Sequence, residues 1–384
     1  MKKFFMFAAM ASVALVSCVK NEVAPVAQDV QQEITFDRPV LLPNLKSANE
    51  VQNDFPTNMA IGVWAHYFDK AVDNSIYNGF ANGELYMGKE GGGLPLEYND
   101  TYKAWKHATN KYYWPKNGSL TFSAYAPYNA KNAGLTSLTA NGIQFANYAV
   151  STAPSEQEDL LFSERVYNQI ANPASEATYP YEGVVLNFKH ALSSIVFKVK
   201  AHEAYSTTKL TIKKIELLNV VSKGSFNQSL VDANAAETKP AAADDALWTL
   251  SSEDAHKVTY SVDIYNGGIL LDPTDVKYAY NGSTAASVAG NGYKATDLIL
   301  LPQNLANCDL QITFELLNDQ MANPITQTLV ADLATTQVPD WVRGKRYIYT
   351  VSVALDEIYF EPTVTNWDEE VVTDLPVYDD YQNL

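Results

Sequence analysis

The sequence predicts an all-β protein with two tandem β-sandwich domains. Segments rich in β-branched and aromatic residues recur along the whole chain, and turn-forming residues separate them, as in 91–93 and 281–283. Helical periodicity is weak and is confined to residues 159–166 and 172–177. At about 100–200 residues per domain, a chain of 384 residues has room for two domains.

Alternation of side chains identifies the individual strands. It is plainest in 194–200, where Ile195, Phe197 and Val199 face the same side. We place a first domain at 33–182 and a second at 183–367, because the segment 168–183 is rich in Pro, Ala, Ser and Tyr. The predicted strands are 33–36, 59–67, 120–125, 184–188, 194–200, 210–220, 258–264, 297–301, 310–316, 325–330 and 347–353.

Composition excludes several classes of protein. The chain has 44 acidic and 27 basic residues, a net charge of −17, which argues against a nucleic-acid partner because phosphate binding needs clustered Lys and Arg. Its 47% hydrophobic content favours a folded core over disorder. No apolar run approaches the roughly 20 residues needed to span a bilayer.

The N-terminus has the features of an export signal. Lys2 and Lys3 precede an apolar stretch at 4–16. Residues 15–18, which end in Cys18, form a motif that resembles the bacterial lipobox. We therefore predict a signal peptide at 1–17, an acylated Cys18 that anchors the protein in the outer membrane, and a tether at 18–32. The alternative is a chance Cys near the end of an ordinary signal peptide.

The residues that usually carry catalysis are scattered. The five His residues, with His190 the most conspicuous, lack metal-ligand spacing, and we interpret His190 as a structural residue at a strand turn. Nucleophile elbow, Walker and dinucleotide motifs are absent from the sequence. We therefore expect no catalytic residue, no metal and no cofactor.

The remaining conspicuous residues have structural interpretations. Cys308 borders an alternating segment and is expected to be a small buried hydrophobic residue. The six Trp residues are more simply core or rim residues than a platform for sugars.

Motifs spread through the chain share their order and spacing with a known family. They lie at 111–115, 120–127, 159–162, 185–193, 300–303, 341–349, 357–360 and 364–367. In this order, and with the lipobox, the chain resembles the fimbrillin family, the lipoprotein-derived pilins of type V pili in Bacteroidetes. The resemblance implies two transthyretin-like β-sandwich domains and a structural, non-enzymatic subunit of a surface adhesive filament. Its partners would be other pilin subunits and ligands on host or bacterial surfaces.

Polymerisation in that family implies exchange of strands between subunits. Val30, Ile34 and Phe36 lie at even spacings, so they could form a first strand that is removed. In the tail 368–384, Val371, Leu375, Val377 and Tyr381 share one parity and form the candidate donor strand. The alternative is a tail that pairs with its own domain or stays mobile.

The resemblance also implies proteolysis after a basic residue that follows the first strand. Arg38 is the first candidate, but Pro39 follows it and hinders trypsin-like enzymes. We therefore expect cleavage after Lys46.

Three alternatives to this function stay open. The subunit could remain intact as an anchor or tip pilin, or the chain could be a monomeric surface lipoprotein that binds glycans. A β-sandwich glycan hydrolase would need two carboxylates converging in a cleft.

Overall fold

The computed structural model describes residues 32–37, 40–41, 53–69, 83–139, 142–171, 183–228, 248–262, 264, 268–279, 297–335 and 337–367. Some predictions therefore lie outside the described residues: those for Cys18, Val30, Arg38, Lys46, the helical segment 172–177 and the donor residues Val371, Leu375, Val377 and Tyr381.

The described chain consists mainly of β-strands. Up to residue 171 the strands are β1 (Val40–Leu41), β2 (Asn53–Asp54), β3 (Ile61–Phe68), β4 (Glu84–Met87), β5 (Leu94–Asn99), β6 (Ala104–Lys106), β7 (Ser119–Ala126), β8 (Thr136–Thr139), β9 (Gly142–Ala149), β10 (Leu161–Ser163) and β11 (Val166–Gln169). The helix α1 (Ala130–Leu135) precedes β8, and a 3₁₀ turn spans Pro154–Glu156.

The strands after residue 183 are longer on average. They are β12 (Asn187–His190), β13 (Ser193–Ala201), β14 (Thr208–Val221), β15 (Lys223–Asn227), β16 (Trp248–Leu250), β17 (Lys257–Val262), β18 (Ile269–Leu270), β19 (Lys277–Tyr278), β20 (Leu298–Leu300), β21 (Asp309–Asn318), β22 (Ile325–Asp332), β23 (Lys345–Val353) and β24 (Ile358–Asn366). A second 3₁₀ turn spans Asp254–His256.

The first core is enclosed by a ten-stranded sheet. Its strands follow the order β2-β1-β12-β10-β7-β3-β5-β6, with β11 beside β7 and β4 beside β3. We call the apolar cluster inside it the N-terminal core. Its largest members are Phe36, Phe55, Trp105, Phe122 and Phe188.

The second core lies between two five-stranded sheets. One has the order β19-β13-β23-β24 with β20 beside β13, and the other has β17-β14-β21-β22 with β18 beside β14. In the first of these, β13 and β23 run parallel. This C-terminal core contains Phe197, Ile215, Phe314, Trp341 and Tyr349.

A four-stranded sheet connects the two halves of the sequence. Its order is β16-β15-β9-β8, so β9 pairs with β15, and Phe145 and Tyr148 of β9 join the C-terminal core. In the other direction β12, which follows residue 183, pairs with β1 and β10. The all-β class with tandem β-sandwiches is confirmed, whereas the domain boundary after residue 182 stays a prediction.

The weak helical periodicity of 159–166 does not correspond to a helix. The segment forms β10 and the start of β11, and Leu160, Leu161 and Phe162 are all buried. Leu161 belongs to the N-terminal core, but Leu160 and Phe162 belong to the C-terminal core. A strand with a core on each side has consecutive apolar residues, which alternation cannot identify.

Candidate functional site

The first described segment, residues 32–37, fills a groove in the ten-stranded sheet that encloses the N-terminal core. We call it the first segment. Isolated bridges join Glu33 to Tyr113 and Phe36 to Trp105 on one side of the groove, both antiparallel, and Phe36 to Val184 on the other side, which is parallel. The segment therefore completes the sheet between two strand edges that do not otherwise meet there.

Within the described ranges, six backbone hydrogen bonds hold the first segment in place. Amides of the segment donate three: from Ile34 to the Tyr112 carbonyl at 2.8 Å, from Phe36 to Trp105 at 3.3 Å and from Asp37 to Val184 at 3.2 Å. Carbonyls of the segment accept the other three: at Phe36 from Trp105 (3.0 Å), at Gln32 from Trp114 (2.9 Å) and at Thr35 from Val184 (2.9 Å).

Two apolar side chains of the first segment enter the N-terminal core. Ile34 is 4% exposed and Phe36 is fully buried. The Phe36 ring meets Phe122 edge to face at 5.5 Å. Ile34 and Phe36 were both predicted to belong to a removable strand, and their side chains are buried at the edge of the N-terminal core.

A charged side chain fixes the outer face of the same segment. The Glu33 carboxylate lies 2.8 Å from Nζ of Lys106 and 3.9 Å from Nζ of Lys111. The Lys106 side chain is only 11% exposed, and its ammonium also lies 3.8 Å from the centre of the Tyr102 ring. The carboxylate is therefore the partner that neutralises a largely buried cation.

Gly183 lets the first segment approach closely. A Cβ atom at this position would lie 2.6 Å from the Asp37 amide nitrogen and 2.7 Å from the Thr35 carbonyl oxygen. Both distances are too short for any side chain, so a glycine is required where the first segment passes residue 183.

This geometry can accept an extended peptide. If residues 32–37 left, the groups of Trp105, Tyr112, Trp114 and Val184 that bond to it would lose their partners, and part of the N-terminal core would face water. Unpaired strand edges beside exposed core bind another strand readily.

The end of the described chain is also fixed. Trp367 is buried and stacks on His190, with ring centres 4.3 Å apart and planes within 4°. Nδ1 of His190 lies 2.8 Å and 3.0 Å from the two carboxylate oxygens of Asp159. His190 thus lies at the end of β12 between a carboxylate and a stacked ring, and it packs against the last described residue, Trp367.

The other residues singled out in the sequence also lie in structural settings. Cys308 is buried and free, and its burial, with Asp309 beside it, raises its pKa to about 11. Trp64, Trp105, Trp341 and Trp367 are buried. Within the described ranges, no three His, Cys, Asp or Glu side chains gather as metal ligands would, and no helix is long and apolar enough to cross a membrane.

Sequence reasoning missed the ion pair of Glu33 and the close approach at Gly183. Glu33 was visible only as the polar neighbour of Ile34, because its partner Lys106 lies far along the chain. A Gly immediately before an apolar segment is a weak signal of close backbone approach.

Comparison with known proteins agrees with this architecture. A profile of the family described as fimbrillin-like matches residues 48–367. A fimbrial protein from Bacteroides vulgatus ATCC 8482 superposes with a TM-score of 0.58 and 17% identity, over 88% of this chain and 99% of that one, which shows a shared fold.

Two further structures are candidate cell adhesion proteins. That from Bacteroides uniformis ATCC 8492 has 15% identity and that from Bacteroides ovatus ATCC 8483 has 17%, each with a TM-score of 0.47. The aligned parts are 88% and 89% of this chain and 99% of each of those chains. Among curated proteins, no sequence matches this chain. Because the family profile covers most of its length, the chain belongs to the fimbrillin-like family.

Proposed function

We propose that the protein is a structural, non-catalytic subunit of an adhesive surface filament and that it polymerises by donor-strand exchange. The observation that supports this most strongly is the first segment, which completes a sheet and a core yet precedes the named strands of that sheet in sequence. Membership of the fimbrillin-like family and the shared fold of the Bacteroides vulgatus fimbrial protein support the same role.

The proposed exchange replaces one strand with an equivalent one. Removing the first segment exposes the surface that Ile34 and Phe36 cover, at a cost of about 3–6 kcal/mol for two such side chains. A strand from a second subunit that covers the same surface and bonds to the same backbone groups recovers this free energy. The cost of association has to be met from the same interactions.

The removal step in this proposal is proteolysis between the first segment and the rest of the domain. Lys46 is the favoured site, since Pro39 hinders cleavage after Arg38. N-terminal sequencing of protein shed from the cell surface should begin at Ser47. A different N-terminus would contradict cleavage after Lys46.

Export as a lipoprotein is the second part of the proposal. Cys18 would carry the acyl chains that hold the precursor in the outer membrane, where processing releases it for assembly. Labelling with a fatty acid analogue should mark the parent protein but not a Cys18→Ser variant. Equal labelling of both would contradict acylation at Cys18.

The donor in this proposal is the tail 368–384, with Val371, Leu375, Val377 and Tyr381 as the residues that enter the groove. The purified full chain, treated with a lysine-specific protease, should form a ladder of multimers on SDS gels without heating. A chain that lacks 368–384 should not. A ladder from the deletion variant would refute the tail as donor.

The geometry does not favour a glycan-binding monomer. Four of the six Trp side chains are buried in the two cores and cannot stack on a sugar. Sugar-dependent quenching of tryptophan fluorescence, together with no multimers after proteolysis, would favour that alternative instead.

A further inference from the structure

The groove holds the first segment by three features that a replacement strand must also meet. An acidic residue at position 33 neutralises Lys106, and apolar side chains at positions 34 and 36 enter the N-terminal core. The three features together form a pattern: an acidic residue, then apolar residues one and three positions later.

The tail contains this pattern once. Of its acidic residues, only Asp374 is followed by apolar residues at both required positions, Leu375 and Val377. Asp374 thus corresponds to Glu33, an offset of 341 residues (374 minus 33). The same offset carries Val371 to position 30 and Tyr381 to position 40, where Val40 pairs with Asn187.

The backbone bonding of the groove also suits this register. The offset places Pro376 at the position of Thr35, and Pro has no amide hydrogen to donate. Within the described part of the chain, the Thr35 amide donates no hydrogen bond to the backbone, while the amides of Ile34, Phe36 and Asp37 each donate one. Pro therefore falls at the one position of these four where it removes no such bond.

We propose that Lys106 sets the register of the incoming strand by pairing with Asp374 of a second copy, which takes the place of Glu33. This inference rests on the proposed donor-strand function and adds the alignment of the two strands. Glu97 lies opposite Lys106 in the β5–β6 pair, and Glu33, Glu97 and Lys106 border one cavity, but the ion pair of Lys106 is with Glu33. A shifted donor would leave the Lys106 ammonium without its carboxylate, close to the Tyr102 ring.

A charge reversal in the tail tests this register directly. After cleavage of the full chain with a lysine-specific protease, an Asp374→Arg variant should form multimers at least about tenfold more slowly than the parent, because it places two cations together. The control is Asp379→Arg, which falls at the position of Arg38 and reproduces its charge. This control should assemble like the parent.

Restoring the charge pair should restore assembly. The variant Glu33→Arg/Lys106→Glu/Asp374→Arg keeps an opposite pair both before and after exchange, and it should recover most of the parent rate. Equal rates for Asp374→Arg and the parent, an equal defect in Asp379→Arg, or no recovery in a folded triple variant would overturn the proposal.

Cross-linking provides a readout that does not depend on the stability of the triple variant. In a Cys18→Ser background, cysteines introduced as Asp374→Cys and Tyr113→Cys should form a disulfide between copies, because Glu33 pairs with Tyr113 in the groove. Tyr378→Cys with Tyr113→Cys, four residues out of register, should not. Cross-linking of the control pair in place of the first pair would refute this register.

These outcomes distinguish a failure of the proposed register from a failure of the proposed donor-strand function. If the chain without 368–384 still assembles, the donor function fails. If this deletion blocks assembly but Asp374→Arg does not, the tail is the donor and only the register is wrong.

The register also predicts a substitution that makes the multimers more resistant to dissociation. Val377 would enter the space of Phe36, which is larger, so the exchanged strand fills the core less completely than the first segment does. Val377→Phe should therefore yield multimers that dissociate more slowly in SDS. Faster dissociation would contradict the placement of residue 377 against Trp105.

Discussion

Phe36 connects the first segment to the centre of the N-terminal core. Its ring is fully buried and lies against Phe122, and it is the larger of the two apolar side chains that the first segment places in the core. In such a position one aromatic side chain supplies much of the free energy that keeps the segment in its groove.

Truncation of this ring should measure that free energy. Phe36→Ala is expected to destabilise the N-terminal core by about 3–5 kcal/mol, because it removes a buried ring and leaves a cavity. Urea unfolding followed by tryptophan fluorescence would measure it, with Val364→Ala, at an exposed position in β24, as the control. The control should change stability by less than about 0.5 kcal/mol. Equal stabilities of the two variants would contradict the role of Phe36.

His66 gives the N-terminal sheet a dependence on pH. Burial, and secondarily the nearby Arg165, lower the pKa of His66 from 6.5 to about 4. Between these values the unfolded chain binds a proton that the folded chain does not, so stability falls as the pH falls. A His66→Gln variant should lose less stability than the parent between pH 6.5 and pH 4. Identical pH profiles of the unfolding midpoint would contradict this.

At the scale of elements, the first segment acts as a strand without being one of the named strands. Isolated bridges and backbone hydrogen bonds hold it between β6, the 112–114 segment and Val184. The close approach at Gly183 is what allows it to reach both sides.

A single methyl group at Gly183 should loosen the first segment. Gly183→Ala would place its Cβ within 3 Å of the Thr35 and Asp37 backbone, so the segment must shift and its backbone bonds must lengthen. We expect faster cleavage after Lys46 by a lysine-specific protease. Gly134→Ala is the control, since Gly134 lies in α1 with open space around it. Equal cleavage rates in both variants would show that the groove is not tight.

The elements also show which features a sequence can predict. The predicted strands at 210–220 and 310–316 alternate between buried and partly exposed residues because one face meets a core. The strand at 194–200 was predicted from its alternation and does place Ile195, Phe197 and Val199 in the C-terminal core, but residues 194 and 196 are buried as well. The weak helical periodicity of 159–166 is misleading because its strand β10 has a core on both sides. The helix α1 was missed because its six residues are too few for a periodic pattern.

At the scale of the molecule, strands from each half of the sequence pair with strands from the other half, and these pairings connect the two cores. Strand β12 completes the N-terminal sheet, and β9 lies beside β15. Such long-range pairings cannot be read from local patterns, which is why the sequence predicted two sandwiches but not how they share strands. For the site, it predicted Ile34 and Phe36 but not the ion pair of Glu33 with Lys106.

The site and Trp367, where the described chain ends, lie at two different places in this molecule. The tail follows Trp367, which stacks on His190 and packs in the C-terminal core, whereas the first segment plugs the N-terminal core. A subunit with a groove in one core and a donor that leaves from the other can join copies in a head-to-tail series.

Hydrogen exchange at the groove amides tests the central claim of strand replacement most directly. In the intact chain the amides of Trp105, Trp114 and Val184 are bonded to the first segment and should exchange slowly. After proteolysis and before assembly they should exchange rapidly, and in the multimer they should be protected again. Amides that stay protected in the cleaved monomer, or stay exposed in the multimer, would contradict replacement of the first segment by a donor strand.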